Sequence, residues 1–194
     1  AVYAANTVGA IAGALVFSTV LIPALGTQNA QRVMMAVALV AAGLALFPLL
    51  RLTRTGFGLA GAATLAALLI WSVSPLPFEM VAFGRQAAGR LGTVTELYRG
   101  EGMNSTIAVS EPLQNPGTRH FHVAGKVEAS NTPQDMRLQL LLGNLPALFH
   151  PRPQKVLVVG FGAGVTAGSF VPHPDLKRLV ICEMEPLVPQ ATSR

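Results

Sequence analysis

No acidic residue occurs before Glu79, and up to Phe78 the only charged side chains are Arg32, Arg51 and Arg54. The rest of the 14 basic residues and all 9 acidic ones lie in the remaining stretch. Soluble domains carry about a quarter charged residues, whereas this chain has 12% charged against 51% hydrophobic. Two chemically different halves are therefore joined. The asymmetry excludes a single globular domain, a disordered chain and a nucleic-acid-binding protein, because the net charge of +5 comes from scarce acids and no basic run occurs. The single cysteine, Cys182, allows no internal disulfide and no cysteine-based zinc site. The chain opens at Ala1 on an apolar stretch with no basic leader, so a cleavable signal peptide is not expected and the chain reads as an excerpt.

Three apolar runs fill the first half, near 2–25, 33–50 and 58–73, separated by the polar loops Gly26–Arg32 and Arg51–Thr55. A helix needs roughly 20 residues to cross about 30 Å of hydrocarbon, so residues 1–73 are predicted to be multi-pass membrane helices. Gly9 and Gly13 form a GxxxG pair that lets helix backbones approach, and Asn6 reads as polar glue between spans. Counting Arg51 and Arg54 against Arg32, Arg85 and Arg90 leaves the orientation undecided.

Residues 74–92, with Pro75, Pro77, Gly84, Gly89 and Gly92, read as a connector. Beyond it the period becomes that of strands: 92–99, 105–110, 119–123 and 125–129, with Pro116-Gly117 as a turn, predict a small antiparallel β domain over 93–131. A Leu-rich helix is predicted over 135–148, starting near Thr132-Pro133 and ending around Gly143 to Pro146.

The sharpest signal follows. The apolar strand Lys155–Val159 runs into Gly160-Phe161-Gly162-Ala163-Gly164, then a helix over 165–171 and a second apolar strand, 179–182, ending in Glu183. Strand, glycine turn, helix, strand and terminal acid form the nucleotide-binding half of a doubly wound sheet. Glycines let backbone approach a ligand, and the acid can accept ribose hydroxyls. The dinucleotide fingerprint needs a small residue where Val165 stands. The GxGxG spacing present here is the usual one for S-adenosyl ligands, and a plain tight turn is the competing reading. His120 and His122 share a strand face and could ligate a metal, but no third ligand is in view and no metal is expected. His150 and His173 precede prolines and read as loop residues, and Cys182 as a buried, inert thiol.

Residues 3–13 with Leu21–Gly26, then Glu101-Gly102, 125–131, 135–137, 140–146 and 156–168, resemble the bacterial proteins that fuse a transporter-like (major facilitator type) membrane region to a spermidine synthase-like domain. That resemblance implies a polyamine aminopropyltransferase fold: an α-helical membrane segment followed by α/β, with the small β domain leading into a Rossmann-like doubly wound sheet of the S-adenosylmethionine-dependent methyltransferase type over 132–194, truncated. Decarboxylated S-adenosylmethionine, or S-adenosylmethionine itself, would bind there, with a polyamine or other amine as second substrate. Gly160, Gly162, Ala163 and Gly164 would line the nucleoside site, Glu183 would hold the ribose, Glu128 would stand where a Gln touches the cofactor, and Asn144 would take a usual His position. Ala163 replaces the Asp that grips the aminopropyl amine, and 138–142 lack the usual amine-binding groups. The resemblance puts the catalytic acid beyond residue 194, so these residues alone are expected to show little affinity and no turnover. It further implies a bacterial inner membrane location with the soluble part cytoplasmic, leaves homo-oligomerisation open, and leaves as alternatives a methyltransferase and a transporter with a nucleoside- or polyamine-sensing domain.

Overall fold

The computed structural model describes residues 2–46 and 53–193, which divide into two units, Ala1–Leu76 and Pro77–Arg194. In the first unit, α1 (Val2–Val16), a π-helical turn (Phe17–Leu21) and α2 (Ile22–Leu46) run on as one apolar helical stretch of 45 residues. At 1.5 Å per residue that is about 68 Å, twice the hydrocarbon thickness of a bilayer. The stretch is broken at Gly26, whose φ of 76° and ψ of 163° no helix contains. By length and composition it can cross a membrane; α3 (Thr53–Trp71) contributes a shorter apolar helix, Phe57–Trp71.

The expected loop Gly26–Arg32 is thus a single-residue break followed directly by helix. Its polar residues are used within the helix and across to α3: Gln28 Nε2 donates to the Val73 carbonyl at 2.8 Å, and Arg32 Nη2 donates to the carbonyls of Trp71 and Val73 at 3.2 and 3.0 Å. A cation there satisfies carbonyls that a helix end leaves without partners. The end of the second expected span and the start of the loop after it, residues 47–52, lie outside the described residues.

In the second unit, β1 (Val94–Glu101), β2 (Thr106–Pro112), β3 (His120–Val123) and β4 (Lys126–Ser130) form an antiparallel sheet in sequence order. Alternation along the strands, interrupted by register shifts at Glu96–Tyr98 and Phe121–His122, gives it two covered faces. Ile107, Val109, Phe121 and Ala129 bury one face against Val188 and Ala191 of α7 (Leu187–Thr192), with Phe161 and Ala163 of the glycine turn packed alongside. Ala108 buries the other face against Phe78, Val81, Ala82 and Phe83 of α4 (Phe78–Phe83). The stretch expected as a connector is therefore largely structural: α4 and a 3₁₀ turn (Gly84–Gly89) follow Pro77, because their apolar side chains supply one layer of the core.

Helix α5 (Pro133–Phe149) continues beyond its expected end, through Gly143 and Pro146. Gly143 marks a close approach and not a stop, since a Cβ there would run into Ser169 Oγ and the Thr166 carbonyl. Strands β5 (Lys155–Val159) and β6 (Arg178–Cys182) pair in parallel, joined through the four-residue helix α6 (Val165–Gly168), which is shorter than the expected 165–171. Cys182 is exposed, contrary to expectation: among the described residues β6 has β5 as its one neighbour, and Val159, paired with Cys182, is 82% exposed.

Candidate functional site

Gly160, Gly162 and Gly164 all take positive φ, 87°, 55° and 79°. Side chains other than glycine rarely adopt that region, so the three positions turn the chain sharply from β5 into α6. A Cβ at Gly160 or Gly162 would meet nothing within 4 Å, so bare backbone faces open space there. At Gly164 a Cβ would press on the Phe161 ring, which packs toward the antiparallel sheet.

Glu183 at the end of β6 braces this turn. Its Oε2 accepts the Phe161 amide at 2.7 Å, and its Oε1 accepts the amides of Met184 and Glu185 at 2.8 and 2.9 Å. Burial pulls the carboxyl up, but the three amides of Glu185, Phe161 and Met184 outweigh it and hold the group below its ordinary value. Glu183 is therefore an anion at neutral pH. A carboxylate has about four acceptor positions; three are occupied by backbone, which leaves Oε2 free to accept one further donor.

A cleft of ≈ 370 Å³ opens beside this carboxylate, bringing Gly162 and Glu183 together with Glu128 of β4, Asn104, Met184 and Glu185. Glu128 is half-exposed and stands 3.6 Å from Lys126 Nζ, a surface ion pair of small energetic consequence. Ala163 does not line this cleft; it packs on the sheet and borders a smaller cavity of ≈ 170 Å³ with Arg119, Asn131 and Met136. Asn144 is likewise absent from the cleft lining, its Oδ1 meeting His173 Nε2 at 3.1 Å and its Nδ2 donating to the Leu140 carbonyl.

Sequence reasoning missed Glu185. Although charged, it is only 4% exposed, and its Oε2 accepts the Asn104 amide at 3.0 Å while Asn104 Nδ2 donates to the Met184 carbonyl. A Cβ at Gly102 would collide with the Glu185 carboxylate, which explains the glycine in that hairpin. The segment Glu183-Met184-Glu185 links the cleft to the glycine turn through Glu183 and to the β1–β2 hairpin through Glu185. Two acids flanking one residue just past a strand end were the visible signal.

Among the described residues no group of three or more His, Cys, Asp and Glu side chains is gathered as metal ligands would be. His122 is fully buried, bonded through Nε2 to Ser110 Oγ at 2.8 Å and set edge-on to Phe83. Burial pushes its pKa down to about 4, partly offset by the Ala82 carbonyl, so it is a neutral core residue. His150 ends α5, where its Nδ1 accepts the Arg152 amide.

No family model matches the chain. The polyamine aminopropyltransferase of Leptospira biflexa serovar Patoc is 38% identical over 48 residues, 25% of this chain and 17% of that protein. Its counterpart in Thermotoga petrophila is 35% identical over 54 residues, 28% of this chain and 18% of that one. The Thermotoga neapolitana enzyme is 24% identical over 98 residues, 50% of this chain and 32% of the relative. A solved spermidine synthase in complex with the transition-state analogue AdoDATO superposes with a TM-score of 0.46 at 24% identity, covering 50% of this chain and 32% of that one. The chain spans at most about a third of the length of these relatives, and the transporter-like side of the resemblance has no counterpart among them. Over part of its length, the chain is homologous to the polyamine aminopropyltransferases, the spermidine synthases.

Proposed function

We propose that the cleft between the glycine turn and the antiparallel sheet binds the adenosyl part of decarboxylated S-adenosylmethionine, as part of an aminopropyl-transferring protein anchored in a membrane by residues 2–73. The observation that carries this reading is the joint placement of Gly162, Glu183 and Glu128 around one cleft. Gly162 offers backbone with nothing in front of it. The ionised Glu183 keeps an acceptor position on Oε2, enough for one ribose hydroxyl. Gripping both hydroxyls requires one of its three backbone amides to let go. Glu128 of β4, which also lines the cleft, supplies a second carboxylate acceptor. Partial homology to polyamine aminopropyltransferases supports the choice of ligand.

In the proposed reaction an amine nitrogen attacks the aminopropyl carbon next to the sulfonium. The new N–C bond forms as the C–S bond breaks, the electron pair stays on sulfur to give methylthioadenosine, and the amine gives up one proton. No bond-making group is needed from the cleft, so its task is alignment. The same partial homology supports a polyamine as the amine substrate. The apolar unit, which holds Arg32 on helix-end carbonyls and lacks acids, is proposed to lie in a bacterial inner membrane with the second unit on the cytoplasmic side.

Ligand-detected NMR of the detergent-solubilised chain with methylthioadenosine tests the site. Weak binding, in the millimolar range, is expected. Gly162→Val should abolish it, because a branched side chain at positive φ fills the open space and strains the turn. Glu183→Gln, which sets an NH₂ against the Phe161 amide or the ribose, should weaken it by about 1.5–3 kcal/mol. The exposed Arg137→Ala is the control. Unchanged binding in both site variants would refute the assignment.

A further inference from the structure

Away from the nucleoside cleft, a second cleft of ≈ 620 Å³ lies on the other side of the antiparallel sheet, lined by Phe83, Gly84, Arg85, Gln86, Arg90, Ala124, Gly125, Lys126 and Val127. Three of these are cations and none is an acid. Its construction is specific. Ala124 and Gly125 both take positive φ, 50° and 79°, as the two central residues of the β3–β4 hairpin. Gly84, also at positive φ, brings its backbone against that hairpin: a Cβ at Gly125 would lie 3.0 Å from Gly84 N and Cα. This backbone contact sets Lys126, from the far end of the sheet, beside Arg85 and Arg90 of the turn that follows α4. The Arg90 guanidinium lies 5.5 Å from the centre of the Phe83 ring, which holds it over the cleft wall.

Arg85 and Arg90 are exposed and no acid lines the cleft, while Lys126 stands 3.6 Å from Glu128 in a largely exposed pair of small energetic consequence. Like charges gathered around one cleft raise one another's energy, and an anion seated among them offsets that cost. Arg85 and Arg90 also follow Val73, the end of the last apolar run, within about 20 residues, the distance over which basic residues act next to a membrane span. Basic groups so placed are drawn to the anionic lipids of a membrane surface.

We propose that the Arg85–Arg90–Lys126 cleft is a binding site for the phosphate-bearing headgroup of an anionic phospholipid. The inference rests on the membrane reading of residues 2–73. Headgroup capture would hold the second unit at the bilayer surface by a contact independent of the helices.

The test is a titration of the full detergent-solubilised chain with short-chain phosphatidylglycerol, short-chain phosphatidylcholine and inorganic phosphate, followed by native mass spectrometry. Phosphatidylglycerol should bind in preference to phosphatidylcholine. The triple variant R85Q/R90Q/K126Q should bind phosphatidylglycerol at least about tenfold more weakly, with circular dichroism unchanged. The exposed single variants Arg85→Gln and Lys126→Gln should each lose a smaller factor, which keeps the test decisive where the triple variant fails to fold. Equal affinity in wild type and variants would overturn the proposal, and so would inorganic phosphate binding as tightly as the lipid, which would assign the cleft to a free phosphate. Carbonate extraction of membranes holding the same proteins tests the membrane reading separately. Retention in the pellet with no lipid preference overturns the headgroup site alone, whereas release by carbonate overturns the membrane reading on which it rests.

Discussion

The two sheets of the second unit are built from similar residues and are covered very differently. The antiparallel sheet buries Ile107, Val109 and Phe121 on one face and Ala108 and His122 on the other, each under a helix of this chain. In the parallel pair, Leu157 is 62% exposed and Val159 82%. Parallel strands are ordinarily buried on both faces. In β1–β4 the apolar residues hold the sheet under two helices, while β5 and β6 carry the glycine turn and Glu183 at one end.

The largest effect that would sharpen this contrast is at Phe121. Phe121→Ala should cost about 3–5 kcal/mol, read as faster amide exchange across β2 and β3. Loss of less than about 1 kcal/mol would mean that the antiparallel core is not the stable part. A slightly smaller effect comes from pH. His122 is held neutral by burial, with its pKa lowered from 6.5 to about 4. Between those values the unfolded chain takes up a proton that the native chain refuses, so stability is complete above about pH 6.5 and declines as pH falls toward 4, by about 3 kcal/mol. Thermal unfolding at a series of pH values checks this; a profile no steeper than that of His122→Gln would contradict it.

Smaller again is Gly143→Ala, whose Cβ meets Ser169 and the Thr166 carbonyl. About 1–3 kcal/mol of overpacking is expected, seen as exchange in α5 and α6 but not in β2. Val159→Ala, on the exposed strand, should change stability by no more than about 0.5 kcal/mol; a large loss in denaturant titration would show that the parallel pair has its own buried core.

The elements that could be read from the sequence are those whose signals are local. Alternation in β1 to β4 has the period of two that a covered sheet demands, and the Gly160 to Gly164 turn carries its own conformational requirement. The misreadings share a cause, which is that the residues involved answer to partners far along the chain. Gln28 and Arg32 look like loop residues until the carbonyls of Trp71 and Val73 are placed next to them. Gly143 looks like a helix stop until α6 lies against it. Glu185 looks like a surface acid, yet its bond runs to Asn104, 81 positions away. In the candidate site the glycines and Glu183 were legible, whereas the number of backbone amides that Glu183 accepts was not. The placing of Ala163 and Asn144 outside the cleft depends on helix and sheet packing that no local pattern encodes.

The central assignment, a nucleoside site at the glycine turn, is tested most directly by amide hydrogen exchange of the chain with and without saturating methylthioadenosine. Slower exchange is expected at Gly160 to Val165 and at Glu183 to Glu185. Protection confined to His120 to Val123, or none in the glycine turn, would contradict it.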